Sequence, residues 1–277
     1  MRINHNIMAL NASNRLHSND NAISKNLQKL SSGYRINSAA DDAAGLAVSE
    51  KMRAQINGLN QAEDNAQNGI SLIQTAEGGL NETEAILQRM NTLAVESANG
   101  TYDDTNDRAN LNMEVTALTT EIDRIASSTN FNGTNLLDGK SIATDGVTFQ
   151  IGSDNATSQQ VTLTISDMTA SGLGISTVSI GTQGDAQGAI DTIKAAINSV
   201  SAARANLGAM QNRLEHTTNN LSTMSENLTS AESMIRDVDM SSEMVDLTKN
   251  QILEQAATSM LAQANAAPQS VLSLLKG

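Results

Sequence analysis

Residues 52–94 read MRAQINGLNQAEDNAQNGISLIQTAEGGLNETEAILQRMNTLA. Apolar residues in this segment are separated by threes, fours and sevens, the spacing that places side chains on one face of an α-helix. They are Met52, Ile56, Leu59, Ala66, Ile70, Ile73, Leu80, Leu87 and Ala94. The pattern predicts one helix over residues 43–98, which at about 1.5 Å per residue is roughly 80 Å long.

Similar stripes occur on both sides of this segment. A turn-rich break, NGTYDD at residues 99–104, precedes a stripe at Leu111, Val115, Leu118, Ile122 and Ile125, so residues 43–98 and this second helix are expected to form a hairpin. A longer stripe runs from Ile190 to Ile252, and a shorter one near the start contains Ile3, Ile7, Leu10, Ile23, Leu27 and Leu30. Stripes of this length predict a mainly α fold, a long-helix coiled-coil bundle in which the two chain ends pair in a helical terminal domain.

The helical spacing stops after Asn130, and one β region is predicted in the segment that follows. Val147, Phe149 and Ile151 alternate with polar residues, as do Val161, Leu163 and Ile165. The polar sequence GSDNATSQQ separates the two runs, so the pattern predicts a β-hairpin within about residues 141–180. Residues 141–171 are expected to face outward and to tolerate replacement.

The composition favours long, thin packing over a thick core. The aromatic residues are Tyr34, Tyr102, Phe131 and Phe149, and the single proline is Pro268. A core of Leu, Ile, Val, Met and Ala is typical of seams between helices, and a chain nearly free of proline permits very long helices.

Charge and chemistry exclude several classes of function. A net charge of −13 argues against binding to nucleic acid or to an acidic membrane, because both require a basic surface. The histidines His5, His17 and His216 stand far apart, and the chain has no cysteine, so no metal site is predicted. Phosphate-loop and nucleophile-elbow motifs are also missing from the sequence. We therefore expect neither a cofactor nor an enzymatic activity.

The two chain ends are complementary in charge. Residues 1–35 carry five Lys and Arg against one Asp, whereas residues 235–277 carry three basic residues against five acidic ones. Pairing of the ends is therefore electrostatically favoured, although each exposed ion pair contributes little and the same charges also fit ordinary solvated helix faces.

Four extended motifs give the sequence a family likeness. They are LQKLSSGYRINSAADDAAGLAVSEKMRAQINGLNQAEDNAQNGISLIQTAEGGLNE (residues 27–82), LQRMNTLAVESANG (87–100), EIDRIASSTNFNGTNLLDG (121–139) and ANAAPQSVLSLLKG (264–277). Together they closely resemble bacterial flagellin, over about residues 1–140 and 190–277. Residues 141–185 show no extended match, so the large outer domains of many flagellins are expected to be missing.

The resemblance implies a structural subunit that self-assembles into the extracellular bacterial flagellar filament for motility. It implies a filament-core domain made from residues 1–42 and 235–277, and a helical bundle of residues 43–234 that carries the β-hairpin. The residues expected to build the filament core are Ile3, Ile7, Leu10, Ile23, Leu27, Leu30, Ile235, Val238, Val245, Ile252, Val271, Leu272, Leu274 and Leu275. In a single copy these ends bury too little apolar surface to offset the entropy of ordering, so we expect them to fluctuate until neighbours cover them.

The resemblance also implies a set of partners. These are other flagellin subunits, a flagellar export chaperone that holds the C-terminal helix, the hook-filament junction protein and the filament cap, with secretion through the type III export apparatus. A vertebrate Toll-like flagellin receptor is a further implied partner, recognising Arg89, Leu93 and Glu114. Alternatively, Arg89 is a solvated helix residue and Leu93 packs inside the bundle.

Other classes of protein remain open from the sequence. The hook-filament junction protein shares flagellin-like ends, although the match through APQSVLSLLKG favours the main subunit. Another secreted coiled-coil structural protein, an effector or an adhesin, has the same helical spacing. An enzyme on a flagellin scaffold would need an inserted catalytic domain, for which the unmatched middle leaves little room.

Overall fold

The structure is a computed structural model that describes residues 6–140, 142 and 146–276, with side-chain surroundings as far as Ala267. This part of the chain contains five α-helices. They are α1 (Ile7–Ser32), α2 (Ala43–Ser97), α3 (Asp107–Ser128), α4 (Gln183–Arg236) and α5 (Met240–Lys276). The predicted mainly α class is confirmed, and the helix predicted over residues 43–98 differs from α2 by one residue.

Local chemistry explains where the first two helices end and begin. Gly33 follows α1 in the left-handed conformation, with φ of 75°, and its N–H donates to the carbonyl of Lys29 at 2.8 Å. A glycine is favoured there because other residues are strained at positive φ. Asp42 precedes α2, and its side chain accepts a 2.9 Å hydrogen bond from the N–H of Gly45. This aspartate satisfies a donor that the helix itself leaves unpaired.

Contacts between Cα atoms divide the chain into two compact units. One unit joins the chain up to Ala54 with the chain from Asn227 onward, and the other is Gln55–Glu226. These limits fall inside α2 and α4, whereas the predicted division at residues 42/43 and 234/235 follows helix ends. The predicted domain boundaries therefore stay a prediction.

The Gln55–Glu226 unit holds the main core. Buried side chains recur at intervals of seven along two of its helices. They are Ile73, Leu80 and Leu87 on α2, and Ile193, Val200, Leu207, Leu214 and Leu221 on α4. This is the repeat expected of helices that pack side by side with interlocking side chains. Val115 and Ile122 add the buried side of α3.

The predicted β-hairpin is present. Strands β3 (Val147–Gln150) and β4 (Gln160–Leu163) pair antiparallel, with Val147 opposite Leu163 and Phe149 opposite Val161. Phe149, Val161 and Leu163 are buried, whereas Thr148 and Thr162 are exposed, which is the two-residue alternation of a half-buried strand.

The structure corrects two expectations about the middle of the chain. A second hairpin joins β1 (Asn130–Phe131) to β2 (Thr134–Asn135), although one β region was predicted. The expectation that residues 141–171 face outward is wrong, because Leu163, Ile165 and Met168 are buried in the core. The exposed part is the loop between β3 and β4, where Ser153, Asp154 and Asn155 lie at the surface.

Candidate self-association surface

Helices α1 and α5 run antiparallel and pack against each other. The less exposed residues of α1 recur in steps of three and four, at Ala9, Ala12, Ser13, Leu16, Asn19, Ala22, Ile23, Asn26, Lys29 and Leu30. The less exposed residues of α5 follow alternating steps of four and three, at Glu243, Leu247, Asn250, Glu254, Ala257, Leu261 and Ala264. These intervals are those of a two-stranded coiled coil, so these residues form the seam between the two helices.

A polar layer interrupts this seam at Asn26, which is 8% exposed. In the amide orientation that satisfies its neighbours, the Asn26 nitrogen donates to Glu243 Oε1 at 3.0 Å and its oxygen accepts from Asn250 Nδ2 at 3.2 Å. Lys29 Nζ lies 3.7 Å from the same Glu243 oxygen. A buried Asn lowers the stability of a coiled coil but restricts which helix, and which register, it accepts. The polar layer therefore favours pairing of α1 with α5 in this register.

Both helices also carry large apolar side chains that the seam leaves uncovered. On α1, Ile7 is 62% exposed and Leu10 is 60% exposed, and on α5 Val245 is 67% exposed and Ile252 is 61% exposed. Others are Met8 and Leu27 on α1, and Met244, Leu253 and Met260 on α5. We call these nine residues the outward face. Exposed apolar surface of this extent typically marks a site of protein association.

The predicted filament-core residues that the structure describes lie on the outward face, in the seam, or where α4 ends. Ile7, Leu10, Leu27, Val245 and Ile252 are exposed on the outward face, whereas Ile23, Leu30, Ile235 and Val238 are partly buried. Ile3 lies outside the described residues. Val271, Leu272, Leu274 and Leu275 belong to α5, but their side chains lie outside the described part.

Sequence reasoning missed part of the outward face. Met8, Met244, Leu253 and Met260 were not predicted, yet each is substantially exposed there. The signal was available on α5, where Val245 and Ile252 are seven residues apart and Leu253 and Met260 are also seven apart. A helix with two such parallel rows has more apolar surface than one partner can cover.

The predicted receptor residues do not share one surface. Arg89 Nη2 lies 2.8 Å from Glu114 Oε1, which joins α2 to α3 by an exposed ion pair. Leu93 is 0% exposed and belongs to the core of the Gln55–Glu226 unit. The prediction that the Leu93 side chain forms part of an accessible surface is therefore wrong, because the α2 face that carries it is covered.

Other kinds of site are not supported by the described residues. Among them, no three His, Cys, Asp or Glu side chains gather in an arrangement that would hold a metal ion. None of the helices that the structure describes contains an apolar stretch long enough to cross a membrane.

Two family models match the chain. The model of the bacterial flagellin N-terminal helical region matches residues 3–142, and that of the bacterial flagellin C-terminal helical region matches residues 190–275. The chain belongs to the bacterial flagellin family. The resemblance carried by the terminal motifs is thereby confirmed.

Similar flagellins match over the full length. The chain is 54% identical to a flagellin of Bacillus subtilis (strain 168) and 51% identical to the flagellar filament 33 kDa core protein of Treponema phagedenis, with all of both chains covered in each case. The crystal structure of Bacillus cereus flagellin is similar with a TM-score of 0.51 and 31% identity, covering 61% of this chain and 94% of that one.

A hook-associated protein also shares the fold. The structure of a putative flagellar hook-associated protein from Vibrio parahaemolyticus has a TM-score of 0.58 at 16% identity, covering 71% of this chain and 99% of that one. This likeness concerns the fold alone. As a flagellin, the chain is a structural subunit of the flagellar filament, which lies outside the cell.

Proposed function

We propose that the flagellin polymerises through the outward face of α1 and α5, which packs against the same helices of neighbouring copies. The observation that carries this proposal is the exposure of Ile7, Leu10, Val245 and Ile252, each at 60% or more, on helices that already have a partner. Contact of these apolar side chains with water is unfavourable in a single copy, and packing against a neighbouring copy removes that contact.

The energy available is sufficient for assembly. Covering one Ile, Leu or Val side chain that is about two-thirds exposed contributes about 1 to 2 kcal/mol. The outward face has four such side chains, at Ile7, Leu10, Val245 and Ile252, and five other exposed apolar ones, so even partial covering favours association by several kcal/mol per copy, before the cost of ordering the helices. Contacts of this kind build an open helical polymer when they repeat head to tail without closing a ring.

The remaining partners are proposed on the same surface. An export chaperone that covers α5 would keep its apolar side chains from associating before secretion. The hook-filament junction protein and the filament cap would contact the outward face of the first and last subunits. Full-length identity to flagellins favours the main subunit over the junction protein for this chain.

A vertebrate Toll-like receptor is proposed to contact the exposed Arg89–Glu114 pair, with Leu93 supporting this surface from beneath. We further propose that the chain has no enzymatic activity, consistent with a family of structural proteins.

Substitution on the outward face tests the assembly proposal. Ile252→Ser should raise the critical concentration for polymerisation roughly tenfold, because 1.4 kcal/mol of lost association energy corresponds to a factor of ten. Gln251→Ser is the matched control, since it places the same residue at the neighbouring exposed position of α5. Sedimentation of both variants measures the critical concentration. An Ile252→Ser chain that polymerises like the control would contradict the proposal.

A further inference from the structure

The segments that follow α1 and α4 are joined to each other. The N–H of Arg35 donates to the carbonyl of Arg236 at 2.7 Å, and the N–H of Val238 donates to the carbonyl of Gly33 at 3.0 Å. The Arg35 guanidinium also donates to the carbonyl of Ile235. The two breaks in the helices therefore form a short antiparallel bridge, which we call the break bridge.

One side chain links this bridge to α2. Arg236 Nη1 lies 2.7 Å from Glu50 Oε1, and the guanidinium carbon lies 4.8 Å from the centre of the Tyr34 ring. The Arg236 side chain is 14% exposed, so its contacts are partly shielded from water. The hydrogen bond from Arg236 is also the main cause that lowers the pKa of Glu50. Arg236, the last residue of α4, thus contacts Tyr34 in the segment after α1 and Glu50 near the start of α2.

The arrangement requires a guanidinium. Its carbon lies over the aromatic ring of Tyr34 while Nη1 donates to the carboxylate of Glu50. A lysine ammonium is a compact charge that interacts with the ring or with the carboxylate, but has no face and edge with which to do both. A lysine at position 236 should therefore lose one of the two contacts that Arg236 makes.

We propose that Arg236 is a positioning residue that fixes the break bridge, and through it the placement of the α1–α5 pair relative to the start of α2 and the end of α4. All four elements at this point belong to the unit that joins the two chain ends. The bridge lies where both helices of the outward face begin or end, so its geometry sets how that face is presented. This effect on assembly rests on the proposed function, whereas the bridge itself does not.

Arg53 provides a matched control. Its guanidinium also contacts Glu50 Oε1, at 3.2 Å, but it lies three residues away on the same helix and is about half exposed. Removing Arg53 takes away one partner of Glu50 without touching the break bridge.

Amide hydrogen exchange in assembled filaments tests the proposal. Mass spectrometry of peptides that contain Arg35 and Val238 reports the two hydrogen bonds of the break bridge. We expect exchange to become roughly tenfold faster in both Arg236→Ala and Arg236→Lys, and to stay unchanged in Arg53→Ala, given the usual strength of cation–π and exposed ion-pair contacts. Exchange in the core around Leu80 and Val200 should not change in any variant.

Three results would overturn the proposal. Exchange at the wild-type rate in Arg236→Lys would show that charge alone suffices, and the wild-type rate in Arg236→Ala would show that the side chain is dispensable. If Arg236→Ala fails to fold or polymerise, Tyr34→Leu and Glu50→Gln each remove one contact. Each should accelerate exchange a few-fold, and wild-type rates in both would also overturn the proposal.

The effect of Arg236 on assembly is measured separately, by the critical concentration for polymerisation. Arg236→Ala and Arg236→Lys should raise the critical concentration several-fold, and Arg53→Ala should not. If Ile252→Ser polymerises normally, the proposed outward face is wrong. The exchange rates would still test the role of Arg236 in the break bridge, because they report contacts within one copy.

Discussion

The side-chain nitrogen of Asn6 donates a 2.8 Å hydrogen bond to the main-chain carbonyl of Ala264, close to the other end of the chain. The side-chain oxygen of the same residue accepts a 3.0 Å hydrogen bond from the N–H of Ala9 and so caps α1. One asparagine therefore starts the first helix and ties it to the last.

The two roles of Asn6 are separable by substitution. Asn6→Ala removes both hydrogen bonds, whereas Asn6→Asp keeps the capping oxygen and loses the donor to Ala264. Loss of a cap costs about 1 kcal/mol, so exchange of the Ala9 amide in filaments should accelerate about fivefold in Asn6→Ala and not in Asn6→Asp. Both variants should raise the critical concentration. Polymerisation of both at the wild-type concentration would show that the tie to Ala264 is dispensable.

Leu93 should matter for stability. Leu93→Ala removes three carbon atoms from a fully buried side chain, and should lower the free energy of unfolding by about 2 to 5 kcal/mol. Arg89→Ala, one turn away on the exposed side, should change it by less than about 1 kcal/mol. Urea unfolding followed by circular dichroism measures both values. An unchanged free energy in Leu93→Ala would contradict the packing described.

Arg89 should matter for receptor signalling. Arg89→Glu reverses the charge of the exposed Arg89–Glu114 pair and should reduce signalling, while filaments still form. Combining it with Glu114→Arg restores an ion pair but exchanges the two charges, so signalling should stay low. Recovery in the double variant would indicate that local structure, not the surface charge, is what the receptor needs. Soluble chains should also signal better than filaments, since we expect this surface to be covered between subunits.

Acid should weaken the connection before α2 through Asp41. Hydrogen bonds from the N–H and hydroxyl of Ser38 and the N–H of Asn37 lower the pKa of this carboxyl group. Because the folded-state pKa lies below the unfolded value of about 3.9, the carboxylate stabilises the fold at neutral pH. That contribution is lost as the pH falls through the folded-state pKa. Asp41→Asn should therefore melt at a lower temperature than wild type at pH 7, with the difference shrinking towards pH 2. A difference that is constant with pH would contradict this role.

Removing residues 235–277 should separate folding from assembly. The Gln55–Glu226 unit keeps the buried rows of α2, α3 and α4, so the truncated chain should remain helical, soluble and cooperative in thermal melting. It should not sediment as polymer, because α5 is missing. A truncated chain that builds filaments would overturn the assembly mechanism, and a wholly unfolded one would overturn the division into two domains.

The sequence predicts the long helices well because their packing is regular. Rows such as Ile193, Val200 and Leu207 lie at sevens, and such a row identifies a helix before its partner is known. The β3–β4 hairpin is predicted for the same reason, from two-residue alternation. The β1–β2 hairpin was missed although Asn132–Gly133, both at positive φ, is the usual two-residue turn for such hairpins.

The site is less predictable because burial depends on partners. Leu93 lies beside the main stripe of α2, yet it is fully buried in the core that also contains side chains of α3 and α4. On α1, by contrast, part of the apolar surface stays uncovered. Ile23 and Ile7 are equally apolar, yet Ile23 lies in the seam and Ile7 is exposed. Helical spacing identifies apolar faces but does not say which neighbour covers each.

A reconstruction of the assembled filament at side-chain resolution would show whether the outward face joins neighbouring copies. We expect Ile7, Leu10, Val245 and Ile252 to be buried against α1 and α5 of neighbouring copies, while the seam at Asn26 stays within one copy. Filaments in which these four side chains still face solvent, with copies joined through α2, α3 and α4 alone, would contradict this expectation.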